Sequence, residues 1–168
     1  VTYNPDFAQV EADEQQINLT RFNLFFPEKR DFFLEGSEQF SFGGIDKSPL
    51  AFHSRTIGLS TKGKKIDVVG GAKITGRQGP LGIGMMGMRL DDYGDLEADD
   101  VFVGRFTYDL FEESKVGTIF TYGDPQANLD NHLVGVDLNL RDSEWWRGQS
   151  ISWHSFYMTT NDGTKGTD

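Results

Sequence analysis

A chain of 168 residues is long enough for one domain with a real core and too short for two large ones. Its formal charge of −10, from 16 Lys and Arg against 26 Asp and Glu, opposes binding to a phosphate backbone, and the one basic cluster, "TKGKKID" at 61–67, reads as a solvated loop, so no nucleic-acid partner is expected. The absence of cysteine excludes disulfides, thiolate metal sites and a thiol nucleophile.

Residues 1–45 form the first region. "VTYNPDF" lacks the basic and apolar pattern of a signal peptide, so none is expected in this stretch. The segment "FNLFFPEKRDFFLEG" at 22–36 sets five phenylalanines and two leucines around Glu28, Lys29, Arg30 and Asp31, a mixture that suits neither a plain core nor a linker. Pro27 fits the first position of one short helix reaching Phe33, and Gly43-Gly44 closes the region.

From residue 46 onward the chain reads as antiparallel strands bounded by Gly, Asp, Asn and Pro. A strand is expected at 51–58. "KIDVVGGAKITGR" then alternates, with Ile66, Val68, Gly70, Ala72 and Ile74 on one face and Asp67, Lys73, Thr75 and Arg77 mostly on the other. "LGIGMMGMRL" at 81–90 is a strand whose faces the pattern does not assign. "DVFVGRFTYDLF" sets Phe102, Phe106, Tyr108 and Leu110 against Arg105, Thr107 and Asp109. A strand at 115–123 follows. "HLVGVDLNLR" then sets Val134, Val136, Leu138 and Leu140 against Asp137, Asn139 and Arg141, and a last strand runs over 149–159. About seven strands of roughly 9 to 12 residues result, a length that suits a tilted membrane-spanning strand.

The connections sharpen this. Short ones at 78–80, 112–115 and 142–148 alternate with long acidic ones at 91–100 and 123–131, as in an up-and-down barrel with one periplasmic and one external rim. Phe111, Trp145 and Trp146 fall at the short-turn ends, and Tyr93, Phe102 and Tyr122 near the long-loop ends, matching the aromatic girdles of membrane interfaces. Read singly, each ring also suits the rim of a soluble sheet; combined with the loop alternation they favour the membrane. No apolar run approaches the roughly 20 residues of a membrane helix, so a membrane would be crossed by strands. A mean hydropathy of −0.46 is compatible with that, because only every second strand residue meets lipid.

"NPDFAQVEAD", "INLTRFNLFFPEKRDFFLEG", "FHSRTIG" and "AKITGR" together resemble a large bacterial family of outer-membrane proteins of unassigned function. In that family a sandwich like the carbohydrate-binding module of family nine precedes a C-terminal β-barrel. The likeness is dense over residues 1–77 and implies an all-β fold that is the start of a transmembrane barrel. Outer-membrane lipid, glycans and other outer-membrane proteins are the implied partners. Asp31 stands where the family usually carries proline. The sandwich that would precede Val1 is missing and seven strands are too few for the barrel, so the chain is expected to be an internal stretch of a longer protein. The resemblance also implies that residues 22–36 plug or cover the barrel, with Glu28, Lys29, Arg30 and Glu35 pairing with the strand charges Asp67, Lys73, Arg77, Arg105 and Asp137.

Catalytic signals are thin. His53, His132 and His154 are scattered and no motif for zinc proteases, serine hydrolases or phosphate loops occurs, so no cofactor and no catalytic residue is assigned. Glycoside hydrolysis would enter only through the family's sandwich. Asp91, Asp92, Asp95, Glu97, Asp99 and Asp100 could offer oxygens to calcium, yet they lack the order of an EF-hand loop and read better as a solvated acidic loop. Trp145, Trp146 and Trp153 could stack on sugars, and the first two are better explained as interface anchors. The sequence reading is therefore a fragment of an outer-membrane barrel engaged in carbohydrate or nutrient handling at the cell surface; its alternative is a soluble all-β module of a glycan-acting hydrolase.

Overall fold

The computed structural model describes residues 1–3, 28–44, 50–60, 65–92, 94, 97–124, 130–146 and 148–163. Seven strands form one sheet in sequence order, each antiparallel to the next: β1 (Thr2–Tyr3), β2 (Val68–Gln78), β3 (Leu81–Leu90), β4 (Asp100–Asp109), β5 (Lys115–Tyr122), β6 (Asp130–Trp146) and β7 (Gln149–Gly163). This is the expected all-β meander. The sheet is open: among the described residues β7 pairs with β6 alone.

Alternation and register together assign the paired residues of β2 to β7 to a face. Leu81, Ile83 and Met85 pair with Tyr108, Phe106 and Gly104, and these with Val116, Thr118 and Phe120. Those pair in turn with Leu138, Val136 and Val134, which meet Ser155, Tyr157 and Thr159. All lie on one outer face, and much of it is bare: Val134 is 52% exposed and Tyr157 69%. The other face carries Lys73, Met86, Met88, Val103, Arg105, Ile119, Asp137 and Asn139, and there it is covered, whereas on β7 Phe156 and Met158 of the same face stay 45% and 40% exposed. Register thus settles β3, where glycine and methionine offer too little polar contrast for the pattern to decide.

The cover is the N-terminal region. A single helical turn, α1 (Asp31–Leu34), leads through Gly36 into a 3₁₀ turn, Ser37–Phe40. Gly36 has φ 67°, and a Cβ there would stand 2.8 Å from Thr75 Oγ1, so both backbone conformation and contact require glycine. Phe33, Phe40, Phe42, Ala51 and Ile57 from the cover join Met86, Met88, Leu90, Val101, Val103 and Ile119 from the sheet in one apolar core.

Three expectations are corrected. Residues 51–58 are not a strand; they hold a 3₁₀ turn, Ser54–Thr56, that lies with residues 28–44, where Phe52 meets Phe40 at 5.9 Å between ring centroids. Ile66 and Val68 do not share a face with Ala72 and Ile74. A register shift between Val68 and Gly70 inverts the phase, burying Ile66 and Val68 at 5% and 4% exposure while Ile74 stands out at 67%. Residues 142–146 are not a turn, since β6 runs through Trp146, which pairs with Gln149 of β7.

Candidate functional site

The seat between cover and sheet gathers the charges. Arg105, 1% exposed, reaches from β4 across β5 to Asp137 on β6, with Nη1 donating to Oδ1 at 2.6 Å and Nη2 to Oδ2 at 2.9 Å. The path is open because Gly117 lies beneath: a Cβ there would stand 2.5 Å from Nη1. The cover closes the pair from above. Arg105 Nε donates to Ser41 O at 2.9 Å, Gly43 N donates to Asp137 Oδ2 at 3.1 Å, and the guanidinium lies 5.4 Å from the Phe42 ring centroid. Asn139 Nδ2 gives Asp137 Oδ2 a further bond at 2.8 Å, and Asn139 Oδ1 lies 2.8 Å from His154 Nδ1. The buried pair is thus supported beyond its own two bonds, by Ser41 O on the arginine and by Gly43 N and Asn139 Nδ2 on the carboxylate.

A second cluster lies within the cover. Arg30 binds Glu28 through Nε and Nη2, each at 2.8 Å, and donates to Ile57 O and Ser54 O at 2.8 Å, while Ser54 Oγ donates to Glu28 Oε2 at 2.7 Å. The Arg30 guanidinium also lies 4.1 Å from the Phe33 ring centroid. Burial alone would raise the Glu28 carboxyl, but the bonds from Arg30 and Ser54 outweigh it and hold it at about 2, down from an ordinary 4.5. A lowered carboxyl contributes stability that is complete above pH 4.5 and is lost as pH falls through about 2, and the shift is worth about 3 kcal/mol. Pepsin cleavage within residues 28–60 should therefore rise steeply between pH 4.5 and 2, and Glu28→Gln should abolish that acid step. Burial lowers the pKa of His53.

The expected pairing between cover charges and strand charges is thus replaced by a division. Glu28 and Arg30 satisfy each other, and Arg105 and Asp137 satisfy each other. Arg77 pairs with Asp109, and Asp67 with Lys65 at 2.8 Å. The two groups meet through main chain: Ser41 O, Gly43 N, and the carbonyls of Phe32 and Glu35, both of which accept from Lys73 Nζ. Lys29 and the Glu35 side chain face outward. A cavity of about 440 Å³ remains beside this seat, walled by Phe33, Phe40 and Phe52 and flanked by Lys73 and Lys115. The charge pattern nominates neither Ser41 nor Gly43 nor Asn139 as a site residue. Their signal is the run of small residues closing the cover and a polar side chain two positions from Asp137 on the same face.

Of the rim aromatics, Tyr122 stacks on His132 at 5.0 Å and Phe102 on Phe120 at 5.1 Å, on the outer face near the long-loop rim. Phe111, Trp145 and Trp146 stand at the short-turn rim, exposed at 71, 63 and 64%. Tyr93 and Asp95 lie outside the described residues. Asp91, Asp92 and Glu97 are described, and among the described residues no group of three acids or histidines is placed to hold a metal ion. Asp91 Oδ1 instead accepts from Asp92 N at 3.0 Å, and Asp100 pairs with Arg89 at 2.9 Å. No helix among the described residues is long and apolar enough to cross a membrane. The domain of unknown function DUF5916 matches residues 1–88, a stretch that runs from β1 through the cover into β3. No curated protein and no solved structure matches.

Proposed function

This chain belongs to the DUF5916 family of domains of unknown function, and we propose that it is a wall section of a bacterial outer-membrane β-barrel, its outer face against lipid and its N-terminal region seated inside as a plug. The observation that carries this reading is the outer face itself. Between Arg89, Asp100 and His132 at one rim and Asp142 at the other, register places no Asp, Glu, Lys, Arg or His on it. On β6, His132 and Asp142 are ten positions apart, which at a rise of roughly 3.3 Å is roughly 33 Å along the strand, or about 25 Å of height at a tilt of about 40°. That is the height of the apolar band of such barrels.

Two further features support it. Short turns at 79–80, 110–114 and 147–148 gather on one rim and the longer connections 91–99 and 123–129 on the other. Among the described residues β7, Gln149–Gly163, has an unpaired edge whose one acid or base other than His154 is Asp162 near its end and which holds no Pro, so it is lightly guarded and suits continuation by another strand. Within this reading the protein handles glycans or nutrients at the cell surface, and sugar contact belongs to the preceding sandwich that the family resemblance implies. The alternative, a soluble all-β module of a glycan-acting hydrolase, requires a partner domain to cover the outer face. Cell fractionation separates them: the full-length protein should sediment with outer membranes and need detergent for extraction. Monodisperse behaviour in plain buffer would end the barrel proposal.

A further inference from the structure

At the short-turn rim the outer face ends in a cleft of about 610 Å³, between the turn that follows β4 and the protruding end of the β6–β7 hairpin. Leu140, Ile151 and Trp153 form its apolar part and continue the face of Val136 and Leu138. Phe111 and Trp145 line it as well. The cleft is held open by its own bonds: Ser143 N and Oγ each donate to the Glu113 carboxylate at 2.8 Å, and Ser114 Oγ and the Arg141 main chain exchange bonds at 3.1 and 3.2 Å. Two carboxylates are thereby occupied, Glu113 by Ser143 and Asp142 by Glu144 N at 2.8 Å. Those of Glu112 and Glu144 accept no bond from any described residue, and Arg141 is the single described cation in the lining.

We propose that this cleft docks a membrane phospholipid whose headgroup ends in a primary ammonium, an inference that rests on the barrel reading. The apolar part, continuous with the lipid-facing wall, takes the proximal acyl chain. The ammonium sits between the Glu112 and Glu144 carboxylates and beside the indole rings, whose faces attract cations. The acid excess in the lining disfavours an anionic headgroup, and tryptophan at this level is where aromatic rings meet headgroups.

Detergent-solubilised full-length protein, mixed with ethanolamine-, choline- and glycerol-headgroup phospholipids of one acyl composition, tests this by native mass spectrometry. The ethanolamine lipid should be retained about tenfold over the glycerol lipid, as two rim ion pairs warrant. The double variant Glu112→Gln/Glu144→Gln should bring the two lipids level while leaving the melting temperature unchanged. Equal retention by the unaltered protein, an unchanged preference in the variant, or stronger binding of a tetralysine peptide than of the ethanolamine lipid would overturn the proposal. Partition into membranes without headgroup preference removes this inference alone, whereas solubility without detergent removes the barrel reading with it.

Discussion

Replacing Arg105 by methionine is expected to destabilise the fold by about 3–5 kcal/mol, because the Asp137 carboxylate then stays buried with two donors and no counter-charge. The side chains of both residues are 1% exposed, so neither water nor a rotamer change relieves the survivor. The double variant Arg105→Met/Asp137→Leu should recover most of the loss, since it removes both charges and keeps volume in the seat. Urea unfolding in detergent micelles measures the difference as a shift in midpoint at constant slope. The single variant should also loosen the cover, seen as faster proteolysis between residues 41 and 44, because Ser41 O and Gly43 N lose their charged partner. A single variant within about 1 kcal/mol of wild type would show that the pair is solvated in the working protein.

The second large effect belongs to the opposite face. Val136, 48% exposed at mid-height of the apolar band, should tolerate arginine within about 0.5 kcal/mol if water lies outside, as ordinary surface substitutions do. Against lipid the same Val136→Arg change should cost about 2–4 kcal/mol, and Asp142→Arg at the rim no more than about 1 kcal/mol. Folding into lipid vesicles, followed by gel mobility of the folded and unfolded forms, reads both. The depth dependence is the informative part, since a generally destabilised sheet would not distinguish the middle of β6 from its end.

Much of the wall was legible because stretches of β4 and β6 alternate cleanly: Phe106 against Arg105, Val136 against Asp137, Leu138 against Asn139. Two kinds of information were hidden. Around Val68 the run "VVGG" carries a register shift, and glycine shows no preference for either face, so Ile66 and Val68 read in phase with Ile74 when they lie on the opposite side. In "DSEWW" the polar residues resemble a turn, yet Glu113 and Ser114 supply side-chain bonds that let β6 continue past the end of β5. The seat was half legible. The segment with both rings and charges does sit on the charged face, but the choice of partner is tertiary: Arg30 takes Glu28 because Ser54 and Ile57 complete its fork, and this leaves the strand charges to pair among themselves.

The room for that seat comes from missing side chains. Phe40 lies against Gly84, Arg105 over Gly117 and Phe42 over Gly135, where a Cβ would stand 3.2, 2.5 and 2.7 Å from its neighbour. Strip the N-terminal residues away and bare peptide groups at Gly84 and Gly135 face a trench, while Arg105 of the sheet still lies over Gly117. Were the wall closed as the proposed barrel requires, the occupant and not the staves would set the bottleneck, and ease of passage would follow how firmly Ser41 and Gly43 grip one buried arginine and its carboxylate.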